Sequence, residues 1–124
     1  MAAYRAMWSD FTQASATSDP RSSVLDDHAT GDAVALMRYG LEQAKKDEVV
    51  SKGAPRLDPR VVSVKGDRVV VRDCVDMTNW LLYKLNGGLK NDVPGSHRQA
   101  DATVRHSGGA WKVTDLYIAE AGSC

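Results

Sequence analysis

The stretch from Arg68 to about Leu85 limits the fold more than any other part of the chain. Its odd positions are Val69, Val71, Asp73, Val75, Met77, Asn79, Leu81, Tyr83 and Leu85, mostly apolar. Its even positions, from Val70 and Arg72 through Cys74 to Trp80, Leu82 and Lys84, are mixed. Successive side chains of a strand point to opposite faces, so this reads as one long strand with its odd face on a core. A bulge, expected in a strand of this length, would switch the parity partway.

The segments on either side differ in kind. Tyr4, Met7, Trp8 and Phe11 recur at spacings of three and four, which places them on one face of a helix over about 3–17. Core packing explains such a stripe more simply than stacking on a cofactor. Asp19 and Pro20 fit the N-cap and first position of a short helix over about 20–27. Thr30 opens a third helix, about 31–47, whose face is Ala33, Leu36, Met37, Gly40, Leu41 and Ala44. After the breaker Gly53-Ala54-Pro55, short strands are expected over about 60–64, 97–106 and 110–119, with turns at Lys65-Gly66-Asp67 and Ser107-Gly108-Gly109. Residues 86–96 read as a loop. Helices first and an antiparallel meander after them make an α+β plan, with helices packed on one face of a curled sheet. At 124 residues the chain reads as a single domain over 1–124.

Composition narrows the partners. Lys+Arg 16 and Asp+Glu 16 balance, and no basic stripe is present, which argues against nucleic acid. No apolar run approaches membrane-spanning length. The acids are nearly all Asp and there is a single Ile, Ile118, a bias that suggests a GC-rich bacterial genome. The opening MAAYRAMWSDF lacks the apolar region of a signal peptide. The chain is therefore read either as cytosolic or as a mature domain trimmed of its export signal.

The aromatic first helix, the HATGDA segment, the DPRVV strand, the VVVRDCVD strand and the closing GGAWKVTDLYI strand resemble the nuclear transport factor 2-like superfamily. That superfamily includes ketosteroid isomerases, scytalone dehydratase, polyketide cyclases of the SnoaL type and many binding-only members. The likeness covers nearly the whole chain. It is nearest to small bacterial secreted proteins or lipoproteins of unknown function with a cysteine in the long strand and another near the C-terminus. The resemblance implies a cone-shaped sheet wrapped round a helix, with a pocket inside. The pocket would be lined by Tyr4, Trp8, Phe11, Val71, Asp73, Val75, Asn79, Tyr83, Ala100 and Ala102. Small residues at Ala100 and Ala102 fit a cavity there; they equally fit a bulky helix side chain such as Trp8 filling the space.

Enzymes of this superfamily use a buried Asp or His as base and a Tyr or Asp toward an oxyanion. The matching candidates are Asp73, Tyr83 and His28, though no set of residues reproduces the family's catalytic constellation at matching positions. Asp73 has a second reading, as a structural carboxyl paired with Arg98 or Arg105 or with backbone N–H groups. The histidines His28, His97 and His106 lack metal-ligand spacing, and Asp26 to Met37 fails as a calcium loop, so no metal and no cofactor is expected.

Cys74 and Cys124 are the only cysteines. Cys74 lies on the outward parity, and a tail through Ala121-Gly122-Ser123 could fold back to it. A disulfide between them, closing a loop of about 50 residues, is expected; the alternative is two free thiols. The disulfide, where present, favours an extracytoplasmic location, secreted or lipid-anchored after removal of an export signal this chain lacks. The expected function is a non-catalytic extracytoplasmic module holding a small apolar ligand or a partner protein. The alternative is a ketosteroid-isomerase or polyketide-cyclase-like enzyme with a pocket carboxylate as general base. A weak homodimer through the outer sheet face, at Trp80 and Leu82, is also expected.

Overall fold

A computed structural model describes residues 1–89 and 95–124. Two helices come first, α1 (Ala2–Ser15) and α2 (Gly31–Lys46), with a single 3-10 turn, Ser23–Asp26, between them. Six strands follow: β1 (Val49–Gly53), β2 (Arg60–Lys65), β3 (Arg68–Asp76), β4 (Trp80–Lys84), β5 (His97–Ser107) and β6 (Ala110–Ile118). They form an antiparallel four-stranded sheet in the order β2-β3-β5-β6 and a two-stranded sheet pairing β1 with β4. The architecture is α+β, helices packed against antiparallel sheet, as the residue pattern implied. Of the loop expected over 86–96, residues 90–94 lie outside the described residues.

The core joins one face of each helix to one face of the larger sheet. Tyr4, Met7 and Trp8 of α1 and Ala33, Val34, Met37 and Leu41 of α2 pack with Val71, Val75, Ala100, Ala102, Val104 and Val113. The alternation expected of β3 is therefore followed as far as Val75. The helix expected over 20–27 contracts to the 3-10 turn. One reason is that the Pro20 carbonyl, which would open it, instead accepts a bond from Arg38 Nε at 2.9 Å.

The long strand is a correction. It stops at Asp76, whose Oδ1 accepts bonds from the Thr78 N–H at 3.0 Å and the Thr78 hydroxyl at 2.6 Å. The Met77 N–H still donates to the Ser96 carbonyl at 3.0 Å, and the local turn then takes Thr78 and Asn79 out of the ladder. The chain re-enters as β4 in a different sheet, beside β1, a strand the sequence reading lacked. Parity is lost across the break. Trp80, expected on the outer face, instead meets Trp8 and Phe11 edge to face at centroid distances of 6.2 and 5.6 Å. Asn79, expected inside, is exposed.

The β1–β4 pair is seated by a close backbone approach at Gly53. Its φ is +92°, and a β-carbon there would run into the Asn79 carbonyl oxygen. Gly53→Ala is expected to cost about 3 kcal/mol, from the left-handed backbone and the forced separation of the strands. Urea midpoints of the two proteins check this.

Candidate functional site

Inside the curl, the Tyr4 hydroxyl donates to Asp73 Oδ2 at 2.8 Å. The Asp58 backbone N–H donates to Oδ1 at 2.8 Å. The placement follows from the sequence. Asp73 stands on the inward parity of β3, directly across from Ala100 of β5. Ala100 is small enough to let the α1 tyrosine reach the carboxyl. Tyr4 is fully buried and Asp73 is 2% exposed. Burial, and then the bond to Asp73, push the tyrosine hydroxyl far above its ordinary pKa of 10.0, which keeps it a donor to the carboxylate at neutral pH.

Asp73 thus takes the structural arrangement that backbone hydrogen bonds make, but without the arginine named as its partner. Arg98 donates to the Ala119 carbonyl at 3.2 Å. Arg105 stands across from Arg68, at the far end of β3 from Asp73.

The remaining candidates are dispersed. Val71, Val75, Ala100 and Ala102 are buried with Tyr4 and Trp8, as packed core, and Phe11 is half-buried against Trp8. Tyr83 belongs to β4, where Lys52 Nζ lies 4.9 Å from its ring centre. His28 Nδ1 lies 2.6 Å from Asp10 Oδ2, the imidazole being 42% exposed. Neither Tyr83, Asn79 nor His28 is a hydrogen-bond partner of Asp73. Among the described residues, no group of three or more His, Cys, Asp or Glu side chains could hold a metal ion.

Asp73 lines a small cavity of about 180 Å³ together with Asp58, Arg60 and Arg72. A larger groove of about 390 Å³ runs between α1 and residues 54–57, lined by Arg5, Trp8, Ser9, Thr12, Gln13, Ala54, Pro55 and Leu57. Trp8, Pro55 and Leu57 give it apolar walls, and Arg5 and Gln13 a polar rim. Only Trp8 of these was singled out by the sequence. Arg5, Ser9, Thr12 and Gln13 lie on α1 beside it, and Ala54, Pro55 and Leu57 come from the connection between β1 and β2, which carries no periodic signal.

The disulfide is formed: Cys74 and Cys124 are bonded across 5.8 Å between Cα atoms. The tail is seated before it arrives there. The Ala119 N–H donates to the Gln99 carbonyl at 2.9 Å, the Gly122 N–H to the His97 carbonyl at 2.8 Å, and the Gln99 N–H to Ser123 Oγ at 2.8 Å. Gln99 is the cross-strand neighbour of Cys74, so these bonds bring Cys124 alongside its partner. No helix among the described residues is long and apolar enough to cross a membrane.

No family model matches the chain, and no curated protein matches it. Solved structures do. The intermembrane space region of the chloroplast protein ARC6 superposes with TM-score 0.62 at 16% identity, covering 93% of this chain and 92% of that one. A protein of unknown function with a cystatin-like fold from Nostoc punctiforme gives 0.57 at 9% identity, covering 97% and 90%. A protein provisionally named a scytalone dehydratase, from Novosphingobium aromaticivorans, gives 0.58 at 16% identity, covering 100% and 87%. At these identities the likeness speaks for the architecture alone, and the chain has the cystatin-like, nuclear transport factor 2-like fold.

Proposed function

We propose that the chain is a non-catalytic binding module working outside the cytoplasm, with a small, largely apolar ligand held in the groove between α1 and residues 54–57. The observation that carries this reading is the state of Asp73. A general base needs a free lone pair facing substrate. Each carboxyl oxygen of Asp73 accepts one hydrogen bond, from Tyr4 and from Asp58, which occupies two of about four lone-pair sites, and at 2% exposure the group offers a substrate little access. The groove has the size of small-ligand sites, which run from roughly 300 to 1,000 Å³. The Cys74–Cys124 bond supports an oxidising compartment. The likeness to a region that its name places in an intermembrane space is compatible with that.

Titration with anilinonaphthalene sulfonate, an apolar body with an anionic head, tests the groove. Binding with enhanced fluorescence is expected, with a loss of at least tenfold in affinity in Thr12→Arg, which fills the groove from an accessible helix position. Binding unchanged in that variant would remove the groove from the proposal. Isomerase or cyclase turnover that disappears in Asp73→Asn would replace the binding reading with the enzymatic one.

A further inference from the structure

We propose that the outer edge of β2 is a docking site for an extended, acid-flanked apolar peptide, which adds to the larger sheet as a further antiparallel or parallel strand. This goes beyond the groove, with which it shares no residue.

β2 is the first strand of the order β2-β3-β5-β6 and pairs only with β3. The opposite edge of the sheet is partly covered: β6 exchanges bonds at Val113 with the segment before α2, through the His28 carbonyl and the Thr30 N–H. No described residue does this for β2. Its side chains are apolar where an edge strand is usually polar. Val61, Val62 and Val64 are 48%, 57% and 63% exposed. Val61 and Val64 stand across from Val71 and Val69, on the parity that faces the core elsewhere in the sheet. An edge of unpaired backbone groups carrying exposed valines is a template for another strand.

Charge selects among the occupants. Arg60 stands across from Arg72, and Lys65 across from Arg68. Like charges directly opposite each other destabilise a ladder. Arg72 is neutralised by Asp101 at 2.8 Å. Among the described residues, no carboxylate forms an ion pair with Arg60, Lys65 or Arg68. Both ends of the exposed edge therefore hold cations without an ion-pair partner among the described residues, set about 16 Å apart at roughly 3.3 Å per residue. A second copy of this chain is a poor fit. Antiparallel self-pairing about the centre of β2 would set the Arg60 of each copy opposite the Lys65 of the other. A peptide with acidic residues at both ends of an apolar run supplies the missing charges and covers the valines.

The probe is a synthetic peptide of alternating valine and threonine with two aspartates at each end. Two controls accompany it: the same core ended with lysines, and the acidic peptide N-methylated at alternate residues, which cannot pair along one edge. The acidic peptide is expected to bind at least tenfold more tightly than either control. Amide signals of residues 60–65 should shift and gain protection from hydrogen exchange. The double variant Arg60→Glu/Lys65→Glu, which relieves both like-charge pairs and so keeps the fold, should reverse the preference between the acid-ended and lysine-ended peptides. Equal binding of the N-methylated peptide, unmoved β2 amides, an unreversed preference, or a concentration-dependent dimer protecting residues 60–65 would each overturn the proposal.

Discussion

Replacing Cys74 and Cys124 together by serine is expected to lower the unfolding free energy by about 4 kcal/mol, close to 15 °C in Tm for a chain of this size. The bond links residues 50 apart in sequence. In the chain-entropy account, its effect falls on the unfolded ensemble, which loses the freedom of that loop. The folded protein should change little, because the tail keeps its backbone bonds to His97 and Gln99. Wild type treated with reductant should therefore match the double serine variant in denaturant midpoint. Alkylation of denatured, unreduced protein should modify no thiol. Two modified cysteines in protein taken from its natural source would remove the bond there, and with it the argument for an oxidising compartment.

The Tyr4–Asp73 pair carries the second large effect. Asp73→Ala is expected to cost about 3 kcal/mol, because it leaves the buried Tyr4 hydroxyl and the Asp58 N–H without an acceptor. Asp73→Asn should stay within about 1 kcal/mol of wild type: one amide oxygen still accepts from Asp58, and the tyrosine oxygen can accept in turn. Tyr4→Phe falls between, since Asp73 then keeps only the Asp58 bond. The pair also sets a pH dependence. Above pH 10 an unfolded tyrosine gives up its proton, whereas Tyr4 in the fold keeps it, its pKa being raised by burial and by Asp73. The unfolded state then binds fewer protons, so stability is fully present below about pH 10 and falls above it by up to about 1.4 kcal/mol per pH unit. The difference between wild type and Tyr4→Phe should be flat to pH 10 and shrink beyond it. A difference that grows on the alkaline side would refute this assignment.

The fold was legible where local periodicity and burial agree. The α1 stripe of Tyr4, Met7 and Trp8 and the inward set Val71, Asp73 and Val75 all lie in the core. It was not legible where a side chain overrides the period. The residues from Met77 to Leu85 still alternate in sequence, yet the Asp76 carboxyl captures the Thr78 N–H and ends the ladder, and the parity of Trp80 and Asn79 goes with it. β1 was hidden because Val49 and Val50 follow directly on a helix end and precede a breaker, leaving too few residues for a period. The candidate site was half legible. Tyr4 and Asp73 were both named, but a contact between residues 69 apart leaves no local trace. Nor does the Asp58 N–H, since a backbone donor has no residue type to betray it.

Cys124 closes the described chain, and that position bears on when the bond can form. A thiol that follows β6 in the chain emerges after every strand it must sit beside, so oxidation cannot guide the early pairing of the sheet. It can only record it. Because strand side chains alternate, a slip of β3 by one residue against β5 would carry Cys74 to the opposite face. A chain folded in the wrong register would therefore stay reduced. Oxidised and reduced populations, separated during refolding, become a count of molecules whose meander aligned correctly before the latch closed.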